Sequence, residues 1–316
     1  MEFEEIDLEK IEKAGQVKEK TSKELFDECF IDLDKPPKPL DVLVYVGRDG
    51  QGDKVPALTR GEFSCIYAPS KAKKSFNKSL IEAAFIGGQT ENYSDHILGN
   101  RRTEGYIVSI DTEQGEYYAV NSFRRVERIV GSRYPKYVPL QMRKQGVKDR
   151  LRLIEWIIYE SEYAGKIDFL TIDGLADLVP NTNDIILSTE LAEKLLRWSA
   201  ESLHICFILH KNPSSQKARG HLGTVVTIKA ETCISMDRIT DNEGNIVEKN
   251  TVKISCGYSR GRDFEDFYLS VNDDGLPFTH TIETDNNFNS RFSDFEEKPL
   301  ENVDPKDAFN TNEVPF

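Results

Sequence analysis

The segment 65–76 has the spacing of a phosphate-binding loop. Such loops follow the pattern G-x-x-x-x-G-K-[ST], and the same register here places Ala68 and Lys73 at the two glycine positions. Lys74 would neutralise the β- and γ-phosphates of a nucleotide, and the Ser75 hydroxyl would ligate Mg²⁺. Side chains at the two glycine positions are costly wherever the backbone needs a positive φ. A basic surface loop before a helix is the alternative. The residues expected to contact the nucleotide are Ala68, Pro69, Ser70, Lys71, Ala72, Lys73, Lys74 and Ser75.

Three later strand-like runs each deliver a polar side chain at the end of the run. The run 167–172 ends in Asp173, which would lie in the second coordination shell of Mg²⁺. The run 106–110 leads to Asp111 and Glu113, and a carboxylate at this position can orient a water for attack on the γ-phosphate. The third run, 203–209, leads to His210 and Lys211, and a polar residue at this position could sense the γ-phosphate. An ordinary buried strand with a terminal acid, or a solvated loop acid, is the alternative for Asp173 and Glu113.

The segment that follows His210 is rich in glycine and basic residues and predicts contacts with a nucleic-acid backbone. A flexible loop that is basic only for solubility is the alternative. The predicted contact residues are Lys211, Lys217, Arg219 and His221.

A helix should follow the loop, because apolar residues recur at helical spacing from Phe76 to Phe85 and Gly87-Gly88 ends the pattern. Phosphate would then lie at a helix N-terminus, where backbone N–H groups and the helix dipole bind anions. Further helices are predicted at Tyr117–Val130, Val147–Tyr163 and Thr189–Glu201, and late strands at Thr232–Asp237, Thr251–Tyr258 and Phe267–Val271.

In this order, the motifs resemble those of RecA-like ATPases, in particular the plasmid RepA and DnaB-type hexameric helicases and their relatives in phages and mobile elements. The resemblance covers about residues 35 to 282. It rests on Ala68 to Ser75, Asp111-Thr-Glu113-Gln, Leu170-Thr-Ile-Asp173-Gly, Ile208-Leu-His210-Lys-Asn, Lys217 to Gly223 and Tyr258-Ser-Arg-Gly-Arg262. It implies an α/β fold of the P-loop NTPase type: a mostly parallel twisted sheet flanked by helices, with late antiparallel strands.

The resemblance also implies ATP and Mg²⁺ as ligands and roles for particular residues. Lys74, Glu113, Asp173 and His210 would be catalytic. Arg260 or Arg262 would reach the nucleotide of a neighbouring subunit as an arginine finger, which requires a homo-oligomer such as a hexamer. Exposed charges at a hairpin turn are the alternative for these two arginines. The base of the nucleotide would be clamped by one of Tyr117, Arg124 and Arg125.

The composition predicts a soluble protein with one large core and polar extensions, since 38% of its 316 residues are hydrophobic and 30% are charged. No apolar run is long enough for a membrane span, the acidic start is unlike a signal peptide, and the five cysteines form no C-x-x-C pair. These features predict a cytoplasmic protein, and the resemblance implies a bacterial or phage-infected cell. The net charge of −13 argues against simple nucleic-acid binding, although basic islands lie in the middle of the chain.

Three parts are expected: a polar extension and linker (1–39), a RecA-like ATPase domain (40–285) and a disordered acidic tail (286–316). Leu8 and Ile11 of the extension are expected to dock on a neighbour, and Leu25, Phe26 and Phe30 are further candidates. The end of the tail resembles the C-terminal peptide of bacterial single-stranded DNA-binding proteins, which implies recruitment of host replication and repair proteins. A solubilising tail is the alternative. The residues of this tip are Val314, Pro315 and Phe316.

Two functions remain open from the sequence. The first is a DNA-dependent ATPase, a ring- or filament-forming helicase or translocase in phage or plasmid replication or recombination. The second is an ATP-binding accessory protein that binds single-stranded DNA, hydrolyses ATP weakly and recruits replication partners through its tail. Glu113, Asp173 and the arginines near residue 260 favour the first. The two lost glycines and the acidic balance favour the second.

Overall fold

The computed structural model describes residues 20–100, 105–212 and 217–281. The chain divides into two compact units, residues 1–39 and residues 40–316. The described residues form strands β1 (Val42–Arg48), β2 (Lys54–Thr59), β3 (Phe63–Ala68), β4 (Ile97–Gly99), β5 (Tyr106–Asp111), β6 (Tyr137–Gln141), β7 (Ile167–Asp173), β8 (His204–His210), β9 (Thr232–Arg238), β10 (Thr251–Ser259), β11 (Phe267–Val271) and β12 (Pro277–His280). They form helices α1 (Ser22–Cys29), α2 (Lys74–Ile86), α3 (Glu116–Val130), α4 (Val147–Tyr159), α5 (Ile185–Ala200) and α6 (Gly220–Lys229), and 3₁₀ helices Thr90–Asn92 and Leu175–Leu178.

The described part of the first unit contains helix α1, which begins after Thr21. Thr21 and Glu24 form a capping box: the Thr21 hydroxyl accepts the Glu24 N–H, and the Glu24 carboxylate accepts the Thr21 N–H. Leu25, Phe26 and Phe30 are exposed along this stretch. Leu8 and Ile11 lie outside the described residues.

A nine-stranded sheet forms the centre of the second unit, in the order β12-β11-β10-β9-β3-β8-β7-β5-β6. The six strands from β9 to β6 are parallel, and β10, β11 and β12 continue the sheet in antiparallel pairs. The predicted α/β fold with a mostly parallel sheet, flanking helices and late antiparallel strands is therefore confirmed.

Each face of this sheet carries its own hydrophobic core. On β3, Cys65 and Tyr67 pack on the side of helices α4, α5 and α6, whereas Ile66 and Ala68 pack on the side of α2 and α3. After β3 the chain therefore continues on the face that carries α2 and α3, whereas after the neighbouring β8 it continues on the face that carries α4, α5 and α6. Neighbouring strands whose connections diverge in this way open a crevice at their carboxyl ends, and ligands of open α/β sheets bind there.

A separate three-stranded sheet, in the order β2-β1-β4, packs on the core that contains α2 and α3. Strands β2 and β4 are not among the strands predicted from the sequence. Strand β4 lies against α2 at Gly99, where an added Cβ would come within 1.6 Å of the carbonyl oxygen of Ala84. Only glycine allows this approach of the two backbones.

Two predicted helices have different bounds in the structure. Helix α4 ends at Tyr159 rather than Tyr163. Helix α5 begins at Ile185 rather than Thr189, because the Asp184 side chain accepts the N–H groups of the first turn. The predicted late strands agree with β9, β10 and β11 within one residue.

The cysteines of the described residues are all free, and Cys65, Cys206 and Cys233 are buried. Among the same residues, no helix has both the length and the apolar character that a membrane crossing requires.

Candidate nucleotide site

The carboxyl ends of β3, β5, β7 and β8 lie at one edge of the large sheet. Ala68, at the end of β3, is level with His210 at the end of β8. Asp111, at the end of β5, is level with Asp173 at the end of β7. The fold therefore brings the predicted phosphate loop together with the polar strand ends predicted to act with it.

The loop between β3 and α2 contains two lysines in the left-handed region. Lys71 has a φ of 61° and Lys73 a φ of 58°. This conformation costs about 1–2 kcal/mol for a residue with a Cβ. The expected strain at Lys73 is thus confirmed, and Lys71 adds a strained position that the motif did not indicate. The expectation for Ala68 is wrong, because Ala68 is an extended, fully buried residue of β3.

The backbone of the loop presents N–H groups at the start of α2. Within the described residues, no backbone carbonyl accepts the N–H groups of Ser70, Lys71, Lys73, Lys74 and Ser75. The first turn of α2 also contains no acidic side chain. The positive end of the helix dipole and these N–H groups together form a site suited to an anion.

Lys74 is 9% exposed, and its ammonium group has only weak partners. Its Nζ lies 3.1 Å from the carbonyl oxygen of Pro69 and 3.2 Å from Nδ1 of His210. Burial lowers the pKa of Lys74, and the nearby carboxylates of Asp173 and Glu113 oppose this shift. A phosphate would be a stronger partner for this ammonium than a carbonyl or a ring nitrogen.

Ser75 and Asp173 are in direct contact, since the Ser75 hydroxyl donates to Asp173 at 2.8 Å. Burial raises the pKa of Asp173 to about 6, with a further contribution from the neighbouring carboxylate of Asp111. Asp111 itself accepts the N–H groups of Glu113 and Gln114, at 3.0 and 2.7 Å, and so holds the turn after β5.

These oxygen groups fit Mg²⁺. The described residues contain no group of three or more metal-ligating side chains. Mg²⁺ in nucleotide sites is held by one or two protein oxygens together with water and phosphate oxygens, so a hydroxyl beside one carboxylate is sufficient. Ser75 and Asp173 would be the residues that hold it.

Glu113 is positioned by His210, whose Nε2 lies 3.5 Å from the Glu113 carboxylate. The hydrogen bond with His210 lowers the pKa of Glu113, which keeps the carboxylate ionised near neutral pH. The Glu113 side chain is 43% exposed at this edge of the sheet. An ionised, accessible carboxylate can accept a hydrogen bond from water, as a general base must.

A buried polar network lies beneath the site, between α2 and the sheet. Lys78 donates to Ser109 at 2.8 Å and pairs with Glu82 at 3.1 Å. Glu82 also accepts hydrogen bonds from Thr171 and from Tyr137. Ser75, Lys78 and Glu82 follow one another at helical spacing on the inner face of α2, and this polar pattern in the sequence indicates such a network.

The three candidates for the nucleotide base occupy different environments. The Arg125 guanidinium lies 3.8 Å from the centre of the Phe76 ring and donates to Ser79 at 3.2 Å, so this side chain packs against α2. Arg124 is exposed. Tyr117, in the first turn of α3, is 73% exposed and close to Glu113 in the chain. Of the three, Tyr117 and Arg124 have side chains accessible to a base.

The two predicted finger arginines lie at the opposite edge of the sheet. Arg260 follows β10, whose last residue pairs with the start of β9. Its guanidinium donates to Glu62 at 2.9 Å and to the carbonyl of Lys229 at 2.6 Å. Arg262 pairs with Asp49 at 2.5 Å. Neither arginine is therefore brought to the phosphate loop of its own chain.

The predicted nucleic-acid loop needs two corrections. Lys211 is 5% exposed, and its ammonium is bound by Asp237 at 2.6 Å, so a buried ion pair removes it from the surface. His221 belongs to helix α6, which begins at Gly220 inside the stretch predicted to be irregular. Lys217, Arg219 and His221 are exposed. Residues 213–216, and the tail with Val314, Pro315 and Phe316, lie outside the described residues.

Comparisons with models of known protein families and with characterised proteins gave no match.

Proposed function

We propose that the protein is a Mg²⁺-dependent ATPase with a RecA-like core. The observation that carries the proposal is the convergence of five groups at one sheet edge: the loop N–H groups, Lys74, the Ser75–Asp173 pair, Glu113 and His210. Each group suits one part of a triphosphate in the act of hydrolysis.

The position of each residue in the site indicates its role. The loop N–H groups bind phosphate oxygens, and Lys74 turns from Pro69 to neutralise the β- and γ-phosphates. Ser75 and Asp173 would hold Mg²⁺, which would supply positive charge to the phosphates. Glu113 accepts a hydrogen bond from the attacking water and orients it, while His210 holds Glu113 at 3.5 Å and stands beside Lys74.

We further propose that ATP hydrolysis is coupled to single-stranded DNA in a ring- or filament-forming oligomer, as a helicase or translocase in phage or plasmid replication or recombination. Support for the DNA partner comes from the exposed Lys217, Arg219 and His221. Support for the oligomer comes from Arg260 and Arg262. They lie at the edge of the sheet opposite the phosphate loop, so they could contact only the nucleotide of another subunit.

The second candidate is an ATP-binding accessory protein with weak hydrolysis. It is favoured by the strained Lys71 and Lys73, since residues with a Cβ make the loop harder to order around phosphate. It is also favoured by the burial of Lys211, which leaves fewer basic groups for DNA.

Phosphate release by the full chain with Mg²⁺ and ATP, with and without a single-stranded oligonucleotide, separates the two candidates. The first predicts turnover that DNA stimulates and that Lys74→Ala abolishes. ATP binding with no DNA-stimulated turnover would reject the first candidate and favour the second. The matched control is Lys144→Ala, which removes an exposed lysine outside the site.

A further inference from the structure

The phosphate loop is attached to β9 through one arginine. Arg238 is the last residue of β9, and Nη2 of its guanidinium donates to the carbonyl oxygen of Ser70 at 2.6 Å. Strand β9 runs parallel to β3, so its carboxyl end lies beside the loop. The motif assigns no role to a residue at this position, which lies more than 160 residues from the loop in the sequence.

This hydrogen bond orients one peptide group. The carbonyl of Ser70 and the N–H of Lys71 belong to the same trans peptide, so they point in opposite directions. When Arg238 holds the carbonyl on the β9 side, the Lys71 N–H is turned away from β9. The N–H of Lys71 is one of those that no backbone carbonyl accepts within the described residues.

The loop needs such an attachment because its conformation is not the intrinsic preference of its residues. Lys71 and Lys73 are both left-handed, and strained residues persist only where surrounding contacts determine them. A second, longer contact acts on the same side: Lys73 Nζ lies 3.4 Å from Asn250 Oδ1, just before β10. The β9 and β10 pair thus contacts the loop at two points.

The positive charge of Arg238, like its hydrogen bond, favours the binding of an anion at the loop. The Arg238 guanidinium places a positive charge at the loop, because it lies 2.6 Å from the carbonyl oxygen of Ser70. A second cation beside Lys74 increases the attraction of the loop for an anion.

We propose that Arg238 is a positioning residue of the phosphate loop: it holds the glycine-free loop in its anion-binding conformation through the Ser70 carbonyl. The inference rests on the proposed function for the identity of the anion, a nucleotide phosphate. The attachment of the loop itself does not depend on that identity.

Limited proteolysis with trypsin of the nucleotide-free full chain tests the attachment, because Lys71 and Lys73 are themselves cleavage sites. Arg238→Gln should accelerate cleavage after these lysines at least fivefold, and Arg238→Lys should have an intermediate effect. The matched control is Arg152→Gln, which removes an 82% exposed arginine of α4 that pairs with Asp149. Equal cleavage of the loop in wild type and Arg238→Gln overturns the proposal.

Titration with Mg²⁺ and ATP then tests the consequence for binding. Arg238→Gln should raise the Kd about tenfold, with Arg238→Lys between this variant and wild type. Weaker binding with unchanged cleavage would mean that Arg238 acts on phosphate directly, and the proposal would be rejected. A wild-type chain that binds no nucleotide overturns the proposed function, whereas the proteolysis result still decides whether Arg238 holds the loop.

Discussion

At the scale of single residues, the chemistry depends on a few side chains whose partners fix their charge and direction. His210 is central among them, because its two ring nitrogens face Lys74 at 3.2 Å and Glu113 at 3.5 Å. One imidazole therefore connects the group that would meet the phosphates with the group that would meet water. Removal of either neighbour should affect different steps of the reaction.

Glu113→Gln should retain ATP binding but lower hydrolysis by about 10²-fold or more, since an amide cannot act as a general base. The measurement is phosphate release beside equilibrium ATP binding. Glu116→Gln is the matched control, because Glu116 is an exposed acid in the first turn of α3. Full hydrolysis by Glu113→Gln, or an equal loss in Glu116→Gln, would contradict the role of Glu113.

Much of this site could be predicted at the residue scale, because strand ends and the Lys-Ser pair are local features of the sequence. Glu113, Asp173 and His210 do lie beside Lys74 and Ser75. Arg238 could not be predicted, because its contact with Ser70 depends on the pairing of β9 with β3. The burial of Lys211 was missed for the same reason, since Asp237 comes from β9.

At the scale of elements, the predictions succeeded for strongly patterned helices and buried strands. Helix α6 was missed because its sequence, with two glycines and several β-branched residues, has low helix propensity, and packing against α5 overrides it. Strand β6 was missed because it is a short, half-buried edge strand that contains Pro139. Proline is tolerated there because an edge strand can lack one hydrogen bond.

Glu231 connects two elements at the edge of the sheet opposite the loop. Its carboxylate accepts the N–H of Thr59 at 3.0 Å and the Thr59 hydroxyl at 2.7 Å, which ties the end of β2 to the start of β9. Burial raises the pKa of Glu231 to about 7, against the opposing effect of the Thr59 hydrogen bonds. His204, 3.9 Å away, is neutral because burial lowers its pKa to about 3.

The raised pKa of Glu231 makes stability depend on pH. The folded protein binds a proton at Glu231 more tightly than the unfolded chain does. Its contribution is therefore complete below pH 4.5 and is lost as the pH rises through about 7. The loss in the free energy of unfolding should be on the order of 3 kcal/mol.

Denaturant unfolding of wild type and Glu231→Gln at pH 5 and pH 7.5 measures this contribution. The variant should lose less stability than wild type between the two values, because glutamine does not titrate. Asp173 titrates in the same direction and is unchanged in both proteins, so it cancels in the comparison. The same pH dependence in both proteins would show that Glu231 has an ordinary pKa in the folded state.

At the scale of the whole molecule, the two ends of β10 face different regions. Asn250, just before β10, contacts Lys73 of the phosphate loop, whereas Arg260, just after it, lies at the opposite sheet edge. If subunits assemble head to tail, the end of β10 with Asn250 lies at the nucleotide site of its own chain, and the end with Arg260 lies at the nucleotide site of the next subunit. The net charge of −13 is summed over the whole chain. The first turn of α2, directly after the phosphate loop, contains no acidic side chain.

Mixing of two inactive variants tests whether sites are shared between subunits. Arg260→Ala chains retain Glu113, and Glu113→Gln chains retain Arg260. In a random equal mixture, about a quarter of the interfaces would combine the two intact residues and recover hydrolysis. Each variant alone is the control. A mixture no more active than its components, from variants shown to fold and to assemble, would indicate a site completed within one chain.

The proposed function requires that a triphosphate binds to the N–H groups between β3 and α2 although both glycines of the motif are replaced. Equilibrium titration of the full chain with fluorescently labelled ATP and Mg²⁺ measures this binding, with Lys74→Ala and Lys144→Ala as the paired variants. Wild type and Lys144→Ala should bind the nucleotide saturably, and Lys74→Ala should lose at least tenfold in affinity. No saturable binding by wild type, or equal affinity in all three proteins, would contradict the proposed function.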